Sequence, residues 1–304
     1  MMRNRRLTGW WLGLFVAVFV LAAVSPLRGE TAPVVAGSGE MKLLVQPDYF
    51  TARDEGYIKL WSTMKVLALD MDVPVTEAKN PFKEGTRKIV YLDTSKGDLS
   101  KKMYIIRERT KMKDGQADGK VEVTLRYRSG GTAVPGDAVA AAPRYKARVS
   151  FEEDIVGFVG SVVGNNVSEM SASCSIKNIP AGDLKDRTVG GYARFFPTLA
   201  KLGIPLSEPL AATNGITVRE YKVSPGELDF GQGMKGEVAI SLWLDYNTGK
   251  AIAAEVSFDC GRGPAAPAAA VAKSEAFFNA LQDRLSGILA PGGSKTQQVT
   301  GGAK

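Results

Sequence analysis

Three stretches of this chain change side-chain character at every second position, and on each of them the polar half is charged. In residues 121–128, Val121, Val123, Leu125 and Tyr127 interleave with Glu122, Thr124, Arg126 and Arg128. In residues 145–152, Tyr145, Ala147, Val149 and Phe151 interleave with Lys146, Arg148, Ser150 and Glu152. In residues 251–260, Ala254, Val256, Phe258 and Cys260 interleave with Glu255, Ser257 and Asp259. Successive side chains of a β-strand point to opposite faces, so this pattern predicts a sheet with one apolar face and one face that mixes cations with carboxylates. Two arrangements satisfy it. Either helices cover the apolar face and water bathes the other, or the sheet curls with its charged face inward and encloses a charged lumen.

The rest of the chain extends the pattern. Strand-like runs are read at 40–46, 87–92, 102–109, 169–176, 216–223 and 237–245, and a helical period places Tyr57, Leu60, Trp61, Met64, Leu67 and Ala68 on one face of residues 53–71. A short helix is expected at 193–202 and an amphipathic one at 273–289, while 155–163 fits either helix or strand. Tyr246, Asn247, Thr248 and Gly249 form a hairpin signal. Residues 261–272 read as a Pro/Ala linker, and the polar stretch 291–304 as a flexible tail.

The N-terminus has a different character. Arg3, Arg5 and Arg6 precede an uncharged apolar run over residues 9–24. That is the layout of a secretory signal, and the run falls short of the roughly 20 residues a spanning helix needs. Residues 1–28 are therefore read as a signal peptide, or an uncleaved N-terminal membrane anchor, with 29–39 a small-residue linker and the folded domain at 40–290. The expected location is the periplasm or cell envelope. Setting residues 1–30 aside reduces the net charge from +7 to +4, too little for the strongly basic face of a nucleic-acid binder. The chain has no His, which excludes Ser-His-Asp and Cys-His chemistry and leaves acid-base work to carboxylates, Lys or Tyr. Its two cysteines, Cys174 and Cys260, can be a disulfide of an exported protein or two buried free thiols.

Several motifs then occur in a telling order. YLDTSKGDLSKKMYIIRER at 91–109, SGEMKLLV at 38–45, VEVTLRYR at 121–128, VREYKV at 218–223 and ISLWLDYNTGKAIAAEVSFD at 240–259 resemble successive strands of the CYTH, or triphosphate tunnel, family. The resemblance spans most of residues 38–290. It implies a β-dominated α+β fold: a closed eight-stranded antiparallel barrel with a charged lumen and packing helices. It also implies a small triphosphate or polyphosphate ligand, bound with Mg²⁺ or Mn²⁺ and in many members hydrolysed. Carried over by position, Lys42, Arg107, Arg109, Arg126, Arg148 and Arg219 become phosphate contacts, and Glu40, Glu152, Glu255 and Asp259 metal ligands. Lys222 competes with Arg219, because residues an odd number apart on a regular strand cannot share a face; Arg219 is preferred. The chain departs from the family at Ser38 and Ser257, each of which stands where the family carries an acid. Loss of these oxygens weakens the expected metal site, and a non-catalytic phosphate-ligand or polyanion-binding barrel is the alternative to a triphosphatase-like hydrolase. ATP is scarce outside the cytoplasm, which sets the family's cyclase activity aside.

Overall fold

In the computed structural model, which describes residues 33–34, 36–129 and 133–301, nine strands close into a ring. They are β1 (Ser38–Val45), β2 (Gly85–Asp93), β3 (Tyr104–Lys113), β4 (Gln116–Ser129), β5 (Ala147–Val156), β6 (Val167–Pro180), β7 (Ala211–Gly231), β8 (Met234–Asp245) and β9 (Ala251–Gly261). Around the ring the order is β1, β5, β6, β4, β3, β2, β7, β8, β9 and back to β1. Every contact is antiparallel except β1 with β5, which is parallel. The expected eight antiparallel strands are thus nine strands of mixed direction. Where all neighbours run antiparallel, direction alternates and a closed ring needs an even number. An odd ring must contain a parallel contact.

The large apolar clusters lie outside the barrel wall. On one side α1 (Arg53–Asp70) and α3 (Ala268–Leu285) pack over β1, β7, β8 and β9. Leu60, Trp61 and Met64 of α1 and Phe277, Phe278 and Leu281 of α3 are buried there with Met41, Leu43, Val256 and Phe258. The helical period read for residues 53–71 is therefore the face of α1 that meets the wall. On the other side Ile106, Val123, Leu125 and Ile176 of the wall pack against Tyr192, Phe195 and Phe196, which flank and end the short α2 (Val189–Ala193). The Thr188 side chain caps α2 by accepting from Gly191 N at 3.0 Å. Pro197 then starts a separate 3-10 turn, Pro197–Lys201, so the helix expected at 193–202 becomes two pieces.

Two boundaries differ from the sequence reading. The supposed linker at 261–272 already contains the first turn of α3, which begins just after Pro267; its run of alanines is the best of helix formers. Within the 29–39 linker, Pro33–Val34 pairs with Val134–Pro135. The export segment 1–28 lies outside the described residues, and among the described residues no helix is long and apolar enough to cross a membrane. The long β7 shifts register between Val223 and Gly226, and beyond the shift it also pairs with the short strand Val75–Glu77. A Cβ at Gly226 would collide with the Thr76 carbonyl and the Trp61 ring, so this three-way contact requires glycine.

Cys174 belongs to the cluster around α2 and Cys260 to the one under α3, and both are buried free thiols. The disulfide reading is corrected accordingly. With three strand contacts between β6 and β9, the wall keeps the two sulfurs in different cores.

Candidate functional site

The alternation of the strands turns their charged faces inward. The lumen holds a cavity of about 320 Å³ whose lining includes ten Lys or Arg side chains and five Glu. Beside the basic side chains of β3 and β4, the neighbouring strands β6 and β5 contribute Ser173, Ser175 and Ser150, small residues that leave room in the lumen. Of the sequence-derived candidates, Lys42, Arg107, Arg109, Arg126, Arg148, Glu40, Glu152 and Glu255 all line this cavity. Asp259 lines an adjoining one of about 440 Å³, with Glu40, Arg148, Glu152 and Asp154.

Arg219 is not in the lumen. It lies on the outer face of β7, its guanidinium stacked over the Tyr246 ring at 4.5 Å, while Lys222 lines the cavity. Position on β7 decides this: Val218, Glu220 and Lys222 share the inward face and Arg219 and Tyr221 the outward one. Preference for Arg219 is therefore corrected to Lys222. The sequence reading also missed Arg87, Glu122, Arg128, Lys177, Glu220 and Lys295 as lining residues. Glu122 and Arg128 could have been found, since they share the alternating face with Arg126.

Most charges in the lumen are paired. Lys42 Nζ lies 2.9 Å from both Glu40 and Asp154. Burial works against this ammonium, but Asp154, Glu40 and Glu255 outweigh it and raise its pKa. Burial likewise works against the Glu40 carboxylate; Lys42, Lys295 and the Ser257 hydroxyl, which donates to it at 2.5 Å, hold it down to about 2. Arg126 reaches Glu152 at 3.0 Å, Asp154 at 3.6 Å and Ser173 Oγ at 2.8 Å. Glu220, almost fully buried, accepts from Trp243 Nε1 at 2.9 Å and Arg87 at 3.1 Å. It too is held down to about 2 against the cost of burial, by Lys295, Arg109, Arg87 and Trp243. At the rim the reverse holds for Asp259, which burial, Glu40 and Glu237 push up to about 6.

Arg107 and Arg109 stand apart. They share a single carboxylate, Glu122, at 3.8 and 3.6 Å, and the Nε of each is buried without a hydrogen-bond partner. Burial, together with the neighbouring Arg109, depresses the Arg107 guanidinium to about 10. Arg148 and Lys222 face the same space and make no ion pair among the described residues.

The lining of the lumen includes Ser294, Lys295 and Thr296, from beyond the last barrel strand. The segment expected to be a flexible tail contains α4 (Lys295–Thr300), which docks against β7 and β9. Val299 is fully buried in an apolar collar of Ile89, Tyr91, Val218 and Trp243. Thr296 meets the Tyr91 hydroxyl at 3.2 Å, and Asn214 donates to the Val299 carbonyl at 2.8 Å. Lys295 projects into the lumen, 2.9 Å from Glu255, 2.8 Å from Ser241 Oγ and 5.2 Å above the Trp243 ring.

These pairings decide how well the carboxylates suit a divalent cation. Among the described residues no group of three or more Cys, Asp or Glu side chains converges as a metal site. Glu40, Glu152 and Glu255 each already hold a cationic side chain within 3.0 Å, namely Lys42, Arg126 and Lys295. Ser257, which stands where the family places an acid, is spent on Glu40, and Ser38 is exposed. Of the four expected ligands Asp259 alone has no ion pair among the described residues, and one free carboxylate is a poor donor set for the expected Mg²⁺ or Mn²⁺.

No family model matches the chain, and no curated protein does. Solved structures do resemble it in shape. A candidate adenylate cyclase from Bacillus halodurans is 14% identical with a TM-score of 0.42, covering 86% of this chain and 98% of its own. A candidate adenylyl cyclase from Hippeastrum, with a dominant triphosphatase activity, is 12% identical with a TM-score of 0.41, covering 86% and 93%. A protein from Pyrococcus horikoshii is 11% identical with a TM-score of 0.34, covering 82% and 90%. Likenesses of this degree carry nothing about the chemistry of the lumen, which rests on its own residues.

Proposed function

We propose that the lumen binds a phosphate-rich anion of the triphosphate or polyphosphate class and does not hydrolyse it. The observation that carries this reading is the Arg107 and Arg109 pair: two half-buried guanidiniums with one distant carboxylate between them and two buried Nε donors without acceptors. Buried donors and charges are costly when unpaired. A multivalent anion is the partner that would relieve both, and guanidinium matches phosphate oxygens in charge and in planar, bidentate geometry. Twice as many bases as acids around the cavity favour the same ligand. So does the CYTH resemblance, which led to an expectation of a charged barrel interior. Hydrolysis is set aside because three of the four carboxylates that would position a metal and its water, Glu40, Glu152 and Glu255, are held by the chain's own cations.

The full chain is titrated with tripolyphosphate by calorimetry and its melting temperature followed in parallel. Saturable binding and a rise in melting temperature with ligand concentration are expected, since a ligand that binds only the folded state stabilises it by about 2.7 kcal/mol at a hundredfold excess over Kd. Absence of both with tripolyphosphate and with longer polyphosphate would refute the reading. Release of inorganic phosphate by the purified protein in Mg²⁺ would replace it with the hydrolase. The export signal read at residues 1–28 makes the cell envelope the proposed compartment, and a secreted product lacking that segment by mass spectrometry checks it.

A further inference from the structure

We propose that the acidic side of this lumen is neutralised from within, Lys42 and Lys295 occupying the place a divalent cation would take, so that the tunnel receives its anion without metal. The inference deepens the reading above and rests on it for the ligand, but not for the state of the carboxylates.

Its basis is the match between Glu40, Asp154, Glu255 and Glu220 and two cations of the chain itself, Asp259 at the rim being the one expected ligand left without an ion pair among the described residues. Lys42 Nζ bridges Glu40 and Asp154 at 2.9 Å each. Lys295 Nζ lies 2.9 Å from Glu255 and 3.9 Å from Glu220, and the Lys295 backbone N also faces Glu255 at 3.5 Å. A bridging ammonium does for two carboxylates what a hard divalent ion would: it screens their mutual repulsion and takes their oxygens as partners. Both lysines are firmly placed. Lys42 is in the wall, and Lys295 is carried on α4, anchored by Val299 in the collar and by Gln297, whose side chain donates to Glu169 at 2.7 Å. At Glu40, Asp154 and Glu255 a divalent ion would have to displace an ammonium from oxygens it already contacts.

The decisive measurement uses Mn²⁺ alone with the full chain, bound and free ion being separated by electron paramagnetic resonance. Wild type is expected to bind none at micromolar concentrations; stoichiometric uptake there would overturn the inference. Lys295→Met keeps the stem on α4 and frees Glu255 and Glu220, and is expected to raise Mn²⁺ affinity by about tenfold or more, some 1.4 kcal/mol. Unchanged affinity in a variant that still melts cooperatively would show that Lys295 does not hold that place. Tripolyphosphate is then titrated in EDTA and in Mg²⁺, with equal affinity expected. Binding that requires Mg²⁺ overturns the inference. Binding in neither condition overturns the proposed function instead and leaves the Mn²⁺ titration to decide the state of the carboxylates.

Discussion

Arg107→Met should make the unliganded protein more stable and the ligand weaker. Arg107 is depressed to about 10 by burial and by Arg109, which corresponds to about 3 kcal/mol by which the folded protein disfavours the charge at that position. Methionine retains most of the aliphatic stem and removes the charge. Glu122 is not stranded by the change, because Arg109 and Lys177 remain at 3.6 and 4.0 Å. Loss of the long Thr124 contact, at 3.5 Å, gives back a fraction, so a net gain of about 1–2 kcal/mol is expected, roughly 2–8 °C in melting temperature for a domain of this size. The same substitution removes a guanidinium from the anion. Hydrogen bonds to charged groups are worth about 1.5–3 kcal/mol, so tripolyphosphate affinity should fall by about 10- to 100-fold. Urea unfolding in phosphate-free buffer and calorimetric titration read the two quantities separately. A variant that is less stable than wild type and binds as well would refute the reasoning, because Arg107 would then be a structural residue satisfied by its neighbours.

Three further outcomes are expected. Glu40 and Glu220 titrate near 2 in the folded protein against 4.5 ordinarily; a depressed carboxylate stabilises above its unfolded pKa and loses that contribution as pH falls through the folded one. Urea midpoints should therefore drop steeply between about pH 4.5 and 2, and Glu220→Gln should lower stability at pH 7 while flattening that drop. Burial raises both thiols to about 11, so a thiol reagent should label neither cysteine in the native protein and both in urea, and reductant should leave the melting temperature unchanged. Val299→Asp places a charge in the collar beside Trp243; α4 should undock and the tryptophan emission shift to the red, and unchanged emission would mean that Val299 does not seat α4 in this collar.

Period-two alternation carried much of this architecture. The runs read as strands each overlap one of the nine barrel strands, and the number eight entered with the family resemblance alone. Alternation also brought Arg126 and Arg148 together with Glu40 and Glu255, because each inward position follows from its strand's own pattern, whereas Arg107 entered through the family resemblance. On β7 that guide failed. Its outward face carries Tyr221 and Arg219 at one end and Val223, buried under the helices, at the other, so neither face reads as plainly apolar and the choice between Arg219 and Lys222 had no local signal. Lys295 was hidden for another reason. A polar segment rich in Gly and Ser has the composition of a mobile end, and what orders α4 is a collar assembled from three distant strands. The Ser294 and Gln297 spacing was the only local hint, and Gln297 does accept from Ser294 N at 2.6 Å. Likewise, the pairing of Asp154 with Lys42 and of Glu152 with Arg126 depends on which strands are neighbours, which sequence spacing does not reveal.

The parallel contact that lets an odd number of strands close has a consequence for assembly. β1 is the first barrel strand to leave the ribosome, yet its two partners are β5, in the middle of the chain, and β9, the last strand of all. Local hairpins such as β3 with β4 or β8 with β9 can form early, but the ring shuts only when the two ends of the domain meet, a closure of high contact order. Until then Met41, Leu43 and Val45 lack the β9 side of their wall. A chain built this way stays open at the seam between β1 and β9 until its last barrel strand is made, and any truncation that removes β9 leaves β1 paired along one edge only.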